Sequence, residues 1–451
     1  MRRLLIVPAV ALVLLGGPVF ATDEPAPPAP TSNEVAVAPP TQTVQPGWTS
    51  APTPVDGADV VGVSWEGDPS ASFTVQAQHA DGTWSTATKT DGDSDNQADA
   101  GTADAAGTAA VTDLKSDPVW IGEDATAVRV AVTNGAATDV KVTTVDAPST
   151  APPSGSAGAL GGIVPRIDGP DRYLFAGVLV AIAALLVAVA LGWSPWRKRA
   201  YRRGFALIAV GALALTACRL PPAPTGDVPT MPSIITRAQW GARPFGTGPV
   251  PCSAPEYAKG GVRFAVVHHT VNSNNYTPDQ SAAMVRAIQS YHMDADGYCD
   301  VAYQFLIDKY GQIFEGRAGG MDQPVIGGHA GGFNYGSVGV ALIGTYSSVK
   351  PTDAQWNALV LLLRWRLSVA RVDPTQGFWQ TVGSSPCNCQ RWAVGTSVFL
   401  PNAIVGHRDV DFTDCPGAAF YPELTLLRQQ VQSGIVFPPT TTTSSSTTTT
   451  T

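Results

Sequence analysis

The sequence predicts an α/β fold over residues 233–433, a mixed central β-sheet flanked by helices. An all-β, sandwich-like module and a membrane segment precede it. Three observations carry this reading. After residue 233, apolar runs of strand length interleave with runs of helical period. Between residues 47 and 147, short period-2 runs alternate with Gly, Asp and Asn turns. Between these parts lie twenty-one residues without a charge, 173–193, enough to cross about 30 Å of hydrocarbon.

Composition agrees with a chain of unlike parts. The 451 residues carry a net charge of −8, with 14% charged and 44% hydrophobic residues. A soluble domain is usually about 25% charged. The shortfall argues against one compact cytosolic enzyme. An acidic net charge offers no basic footprint for nucleic acid.

The segments follow in order. Residues 1–21 read as a signal peptide: Arg2 and Arg3 precede an apolar run that ends at Ala21. Residues 22–46 are a Pro-rich linker. Residues 47–147 form the β module. Residues 22–166 hold 5 Lys/Arg against 19 Asp/Glu, and His79 is the only histidine there. An acidic accessory module without a catalytic cluster is expected. Residues 148–170 are a second linker. The transmembrane helix, 173–193, ends in Trp193 with Trp196 nearby, like interfacial anchors. A basic loop follows at 197–203, which the positive-inside rule assigns to the cytoplasm. The second apolar segment, 205–218, is short for a span. It ends in Leu215-Thr216-Ala217-Cys218, which resembles a lipoprotein signal with Cys218 as the lipidated residue. It is either a return span or a lipid anchor. Both leave the two folded modules membrane-anchored and extracytoplasmic. Residues 438–451 are a Thr/Ser-rich disordered tail.

The segment 233–433 holds five of the six histidines. Residues 263–268 read as a buried strand. Thr277-Pro278-Asp279-Gln280 is a capping box with Pro at the first helical position. Met284, Ala287, Ile288 and Tyr291 then fall on one helical face. Residues 300–308 and 312–316 flank a hairpin turn, and 337–344 is another strand. Thr352 and Gln355 start a second helix carrying Trp356, Leu359, Val360 and Leu363 on one face. Residues 403–406 are a strand and Pro422 opens a last helix.

His268 ends the first of these strands, His407 follows the last, and Cys415 comes eight residues later. Two imidazoles and a thiolate are good zinc ligands. Three protein ligands leave a fourth position, as in catalytic rather than structural zinc sites.

Six motifs then occur in order: Val266-Val267-His268-His269-Thr270; Cys299-Asp300-Val301-Ala302-Tyr303; Phe314-Glu315-Gly316-Arg317; Gly327-Gly328-His329; Ser337-Val338-Gly339-Val340; and Gly406-His407-Arg408-Asp409 with Asp414-Cys415-Pro416-Gly417. Together they resemble the peptidoglycan recognition protein family, among the zinc N-acetylmuramoyl-L-alanine amidases. The lead-in Thr236-Arg237-Ala238-Gln239-Trp240-Gly241 fits the same family. The resemblance implies one Zn²⁺ on His268, His407 and Cys415, and Tyr303 as the catalytic tyrosine. The family's position two before the cysteine is a lysine in phage enzymes and a threonine in most recognition proteins. Here it is Thr413, an uncharged catalytic partner.

The implied activity is hydrolysis of the amide between N-acetylmuramic acid and L-alanine in peptidoglycan, by a monomeric catalytic domain. The alternative is a non-catalytic module that binds or senses the wall; Cys415 favours the enzyme. His329, in a Gly-rich loop that lets the backbone approach a glycan or peptide, is either a substrate-binding residue or plain loop structure, and Arg408 is a loop brace ahead of a substrate-binding residue. His269 is expected to pack on the opposite face from His268. His292 ends a helix, where a cationic imidazole suits the dipole. Cys252 and Cys299 flank the first strand and helix, and a disulfide between them is expected; the alternative is two buried thiols. Cys387 and Cys389 lie in a loop outside the family pattern.

Overall fold

The computed structural model describes residues 31–55, 57–92, 98–108, 114–146, 229–250, 252–385 and 390–435. The expected signal, the second linker, both apolar segments with Cys218, the loop of Cys387 and Cys389, and the Thr/Ser tail lie outside the described residues. Among the described residues no helix is long and apolar enough to cross a membrane.

Among its described residues the N-terminal unit holds nine strands: β1 (Thr31–Ala36), β2 (Thr53–Pro54), β3 (Val60–Gly67), β4 (Ser72–His79), β5 (Thr88–Asp91), β6 (Leu114–Lys115), β7 (Val119–Trp120), β8 (Ala125–Asn134) and β9 (Ala137–Asp146). They form two antiparallel sheets. One runs β1-β9-β3-β6 with β7 also on β3, the other β2-β8-β4-β5. Alternation explains the pairing of their faces. Val128, Val130 and Val132 of β8 point one way and meet Val61, Val63, Trp65, Phe73 and Val75 in one core. Two expectations are corrected. The segment 22–46 is not all linker: β1 pairs along β9 from Thr31↔Asp146 to Ala36↔Lys141, and buried Val44 bridges Ala137. The edge of β9 offers unpaired backbone groups that even a Pro-flanked run can satisfy. Nor is the unit all-β, since α1 (Ala103–Thr108) lies within it.

The C-terminal unit is built on a five-stranded mixed sheet ordered β12-β11-β13-β10-β16. Its strands are β10 (Phe264–His269), β11 (Phe305–Ile307), β12 (Ile313–Glu315), β13 (Ser337–Leu342) and β16 (Ile404–Gly406). β10 lies parallel to both β13 and β16, and β11 and β12 form the antiparallel hairpin. A central strand covered on both faces reads as a continuous apolar run, as residues 264–267 do. Ala265 and Val267 face α4 (Asp353–Ala370) and α5 (Leu424–Gln432), with Trp356, Leu359, Leu363 and Leu427. Leu306, Phe314 and Ala341 face α3 (Ser281–Asp294), with Met284, Ile288 and Tyr291. The short α2 (Arg237–Trp240) buries Trp240 in that same cluster. Phe264, Val266 and Val405 meet a hairpin of β14 (Phe378–Thr381) and β15 (Ser397–Leu400), which the sequence pattern did not reveal.

The start signals act as read. Thr277 N–H donates to Gln280 Oε1 at 2.8 Å, and Pro278–Gln280 form a 3₁₀ turn leading into α3. Gln355 N–H donates to Thr352 Oγ1 at 3.2 Å at the head of α4. Cys252 and Cys299 are joined in a disulfide with Cα atoms 5.6 Å apart, tying the lead-in of β10 to the turn after α3.

The two units pack together. Val60, Trp120 and Val145 of the N-terminal sheet share a cluster with α3, and Tyr291 Oη donates to Ser116 O at 2.9 Å. Every residue of α3 from Ser281 to Met293 is therefore buried.

Candidate active site

Strand ends bring the site together. β10 delivers His268 on the face of Phe264 and Val266. β16 runs beside β10 and hands over to a 3₁₀ turn, His407–Asp409, which starts with His407. The chain then loops back through Cys415, whose backbone O accepts from Arg408 N–H at 2.9 Å. Gly417 is needed for this return. Its φ is +99°, and an added Cβ would lie 2.4 Å from the backbone of Tyr346.

Ligand atoms of His268, His407 and Cys415 all lie within 4.8 Å of one another, and all three residues are buried. His268 Nδ1 is 3.7 Å from Cys415 Sγ. That is close to the spacing, roughly 3.5 Å, that tetrahedral zinc imposes on its ligands. Each other atom has its own partner. His407 Nε2 pairs with Asp411 Oδ2 at 2.8 Å, which directs Nδ1 to the cluster. His268 Nε2 pairs with His329 Nδ1 at 3.1 Å. Cys415 Sγ accepts from His269 N–H at 3.4 Å, a contact that suits a thiolate. Burial, and then the neighbouring imidazoles, hold His268 well below the ordinary imidazole value, so it is neutral and can give a lone pair. Burial raises the Asp411 carboxyl, while its bond from His407 opposes the shift. These donors fit a zinc ion, with partners that orient them.

Tyr303 is 2% exposed, its ring 5.2 Å from that of His268. Thr413 Oγ1 accepts from Cys415 N–H at 2.9 Å and so braces the cysteine. His269 is turned to the other face, as expected, with Nδ1 accepting from Tyr346 N–H at 3.1 Å.

Two expectations are corrected. His329, a candidate for substrate contact, is turned into the interior. It is fully buried, bonded to His268, with Nε2 3.3 Å from Ser337 Oγ. Gly339 makes room for it, since a Cβ there would lie 2.4 Å from its ring. Arg408 gives its guanidinium to Asp414 and stacks 4.9 Å over Tyr421, the loop brace that was the favoured of its two readings. His292 is no helix-end cation. Burial lowers it to about 3, and neutral Nδ1 accepts from Ala302 N–H at 3.0 Å. Asp411 was missed, although its place four residues after His407 is a signal. Asn334 was missed too; its Oδ1 accepts from His329 N–H at 2.8 Å and Ala330 N–H at 3.0 Å.

The N-acetylmuramoyl-L-alanine amidase family model matches residues 258–418. A peptidoglycan recognition protein of Trichoplusia ni is 31% identical over 191 residues, 42% of this chain and 85% of that relative. An N-acetylmuramoyl-L-alanine amidase of Homo sapiens is 31% identical over 193 residues, 42% of this chain but 27% of that protein. The solved structure of wild-type Drosophila PGRP-LB covers 43% of this chain and 92% of its own at 25% identity, with a TM-score of 0.33. The fold and the site define an amidase-type α/β unit. Through that unit the chain belongs to the peptidoglycan recognition protein family.

Proposed function

We propose that this chain is a zinc-dependent N-acetylmuramoyl-L-alanine amidase that trims peptidoglycan outside the cell membrane. The observation that carries the reading is Cys415 beside His268 and His407, a complete three-ligand set. Zinc held there would polarise the scissile carbonyl and lower the pKa of a bound water toward about 7.

The chain's own residues do the rest. Asp411 keeps the proton of His407 on Nε2, and His329 does the same for His268, so both Nδ1 atoms present lone pairs. Thr413 holds Cys415 in register. The Tyr303 hydroxyl is the donor for the oxyanion that develops as the lactyl–alanyl amide is attacked. The membrane anchor inferred from residues 173–193 and 205–218 would keep the enzyme at the inner side of the wall.

Zinc content and release of N-terminal L-alanine from purified wall by the full chain test this. The expected result is about one zinc per chain and release by the wild type, both lost in Cys415→Ala. Wall binding without release would mark the non-catalytic reading. Undiminished release by Cys415→Ala would overturn the proposal.

A further inference from the structure

The N-terminal unit also reaches toward the site. Residues 98–104 cross from it onto the C-terminal unit. Ser385 Oγ donates to Ala98 O at 3.0 Å, and Ala100 N–H donates to Ser384 O at 2.5 Å. Asp99 Oδ1 accepts from Gly332 N–H at 2.6 Å and from Asn334 Nδ2 at 3.0 Å. Ala103 N–H donates to Glu256 Oε2 at 3.1 Å. Asp104 Oδ1 accepts from Cys299 N–H at 2.6 Å, and Oδ2 pairs with Arg317. Ala98 packs on Tyr298 and Ala302.

These landing points border the metal-ligating cluster on two sides. Asn334 holds the backbone of His329, which bonds His268. Arg317 N–H donates to Tyr303 O at 2.9 Å, and its guanidinium to Val301 O at 3.2 Å. The crossing thus runs from the 299–303 turn to the 329–334 loop. His268, Tyr303, His329, His407 and Cys415 are each no more than 2% exposed.

We propose that residues 98–104 form an autoinhibitory arm, pinned by Asp99 and Asp104 across the mouth of the site, which must lift before wall polymer can enter. The proposal rests on the amidase reading for its consequence, but not for its geometry. Both anchors are buried carboxylates, and a buried charge is held only while its partners stay.

The test uses the full chain, with the double variant Asp99→Asn/Asp104→Asn and the milder Ser385→Ala. After chelator treatment, alkylation of Cys415 by iodoacetamide is followed by mass spectrometry of its peptide. Zinc-loaded protein is assayed for alanine release from wall. Losing a charge-assisted anchor should speed alkylation about tenfold or more in the double variant, and less in Ser385→Ala. Alanine release should rise in the same order. Thermal unfolding checks the fold, and Ser385→Ala decides if the double variant does not fold. Equal alkylation in wild type and folded variants would overturn the arm. Faster alkylation with no release from any form would support the arm and overturn the amidase reading instead.

Discussion

Asp411 shows how a single residue sets up the proposed metal ligands around it. It binds only the far nitrogen of His407, yet that bond fixes which nitrogen faces the cluster. Asp411→Asn should weaken zinc binding by about 10–100-fold, read by competition with a chromophoric chelator. Tyr303→Phe removes a hydroxyl and leaves the buried ring. It should lower kcat by about 10²–10³ with KM nearly unchanged, measured on a soluble muropeptide. The ligands themselves were legible in the sequence because each stands in a short motif. Asp411 was legible in principle, one helical turn past His407. His329 was read as a substrate contact or plain loop because glycines around a histidine let the backbone approach a ligand closely. Here Gly327 and Gly339 let the backbone close around the ring, and an added Cβ at either would lie within 2.6 Å of it.

At the scale of elements, the return loop after His407 is the most constrained piece of backbone in the site. Gly417→Ala would force a left-handed residue against the Tyr346 backbone. It should cost about 2 kcal/mol or more and lower zinc occupancy, read together by calorimetry and metal analysis. Helices α3 and α4 were legible because a cap, a Pro and a 3.6-residue period are local signals. The hairpin of β14 and β15 was not. Its strands are four residues each, and Trp379 and Phe399 face outward at 61% and 51% exposure, so no clean apolar alternation marks them. β1 was hidden by the prolines around it.

The whole molecule carries buried histidines that must stay neutral. His292 has its value lowered from 6.5 to about 3. Below 6.5 the unfolded chain takes up this proton while the folded chain does not. Stability from this group is therefore full above pH 6.5 and falls, by roughly 1.4 kcal/mol per pH unit, as pH drops toward about 3. The midpoint of thermal unfolding should decline over that window. The decline should be shallower in His292→Gln, whose side-chain oxygen can still accept from Ala302 N–H. At this scale the two units meet, since the second face of α3 is covered by the N-terminal sheet.

By itself, the sequence determined the mixed α/β unit, its helix starts and the cluster of His268, His407 and Cys415. Those features rest on periodicity, caps and motifs, in which neighbouring residues carry the information. Only the tertiary structure decided that Asp411 and His329 orient the ligands, that Arg408 braces its loop, and that Asp99 and Asp104 land beside the site. The partners of Asp99 are 233 and 235 residues away, and Arg317 is 213 from Asp104. Contacts at such separations depend on how finished elements pack, and no local pattern encodes them.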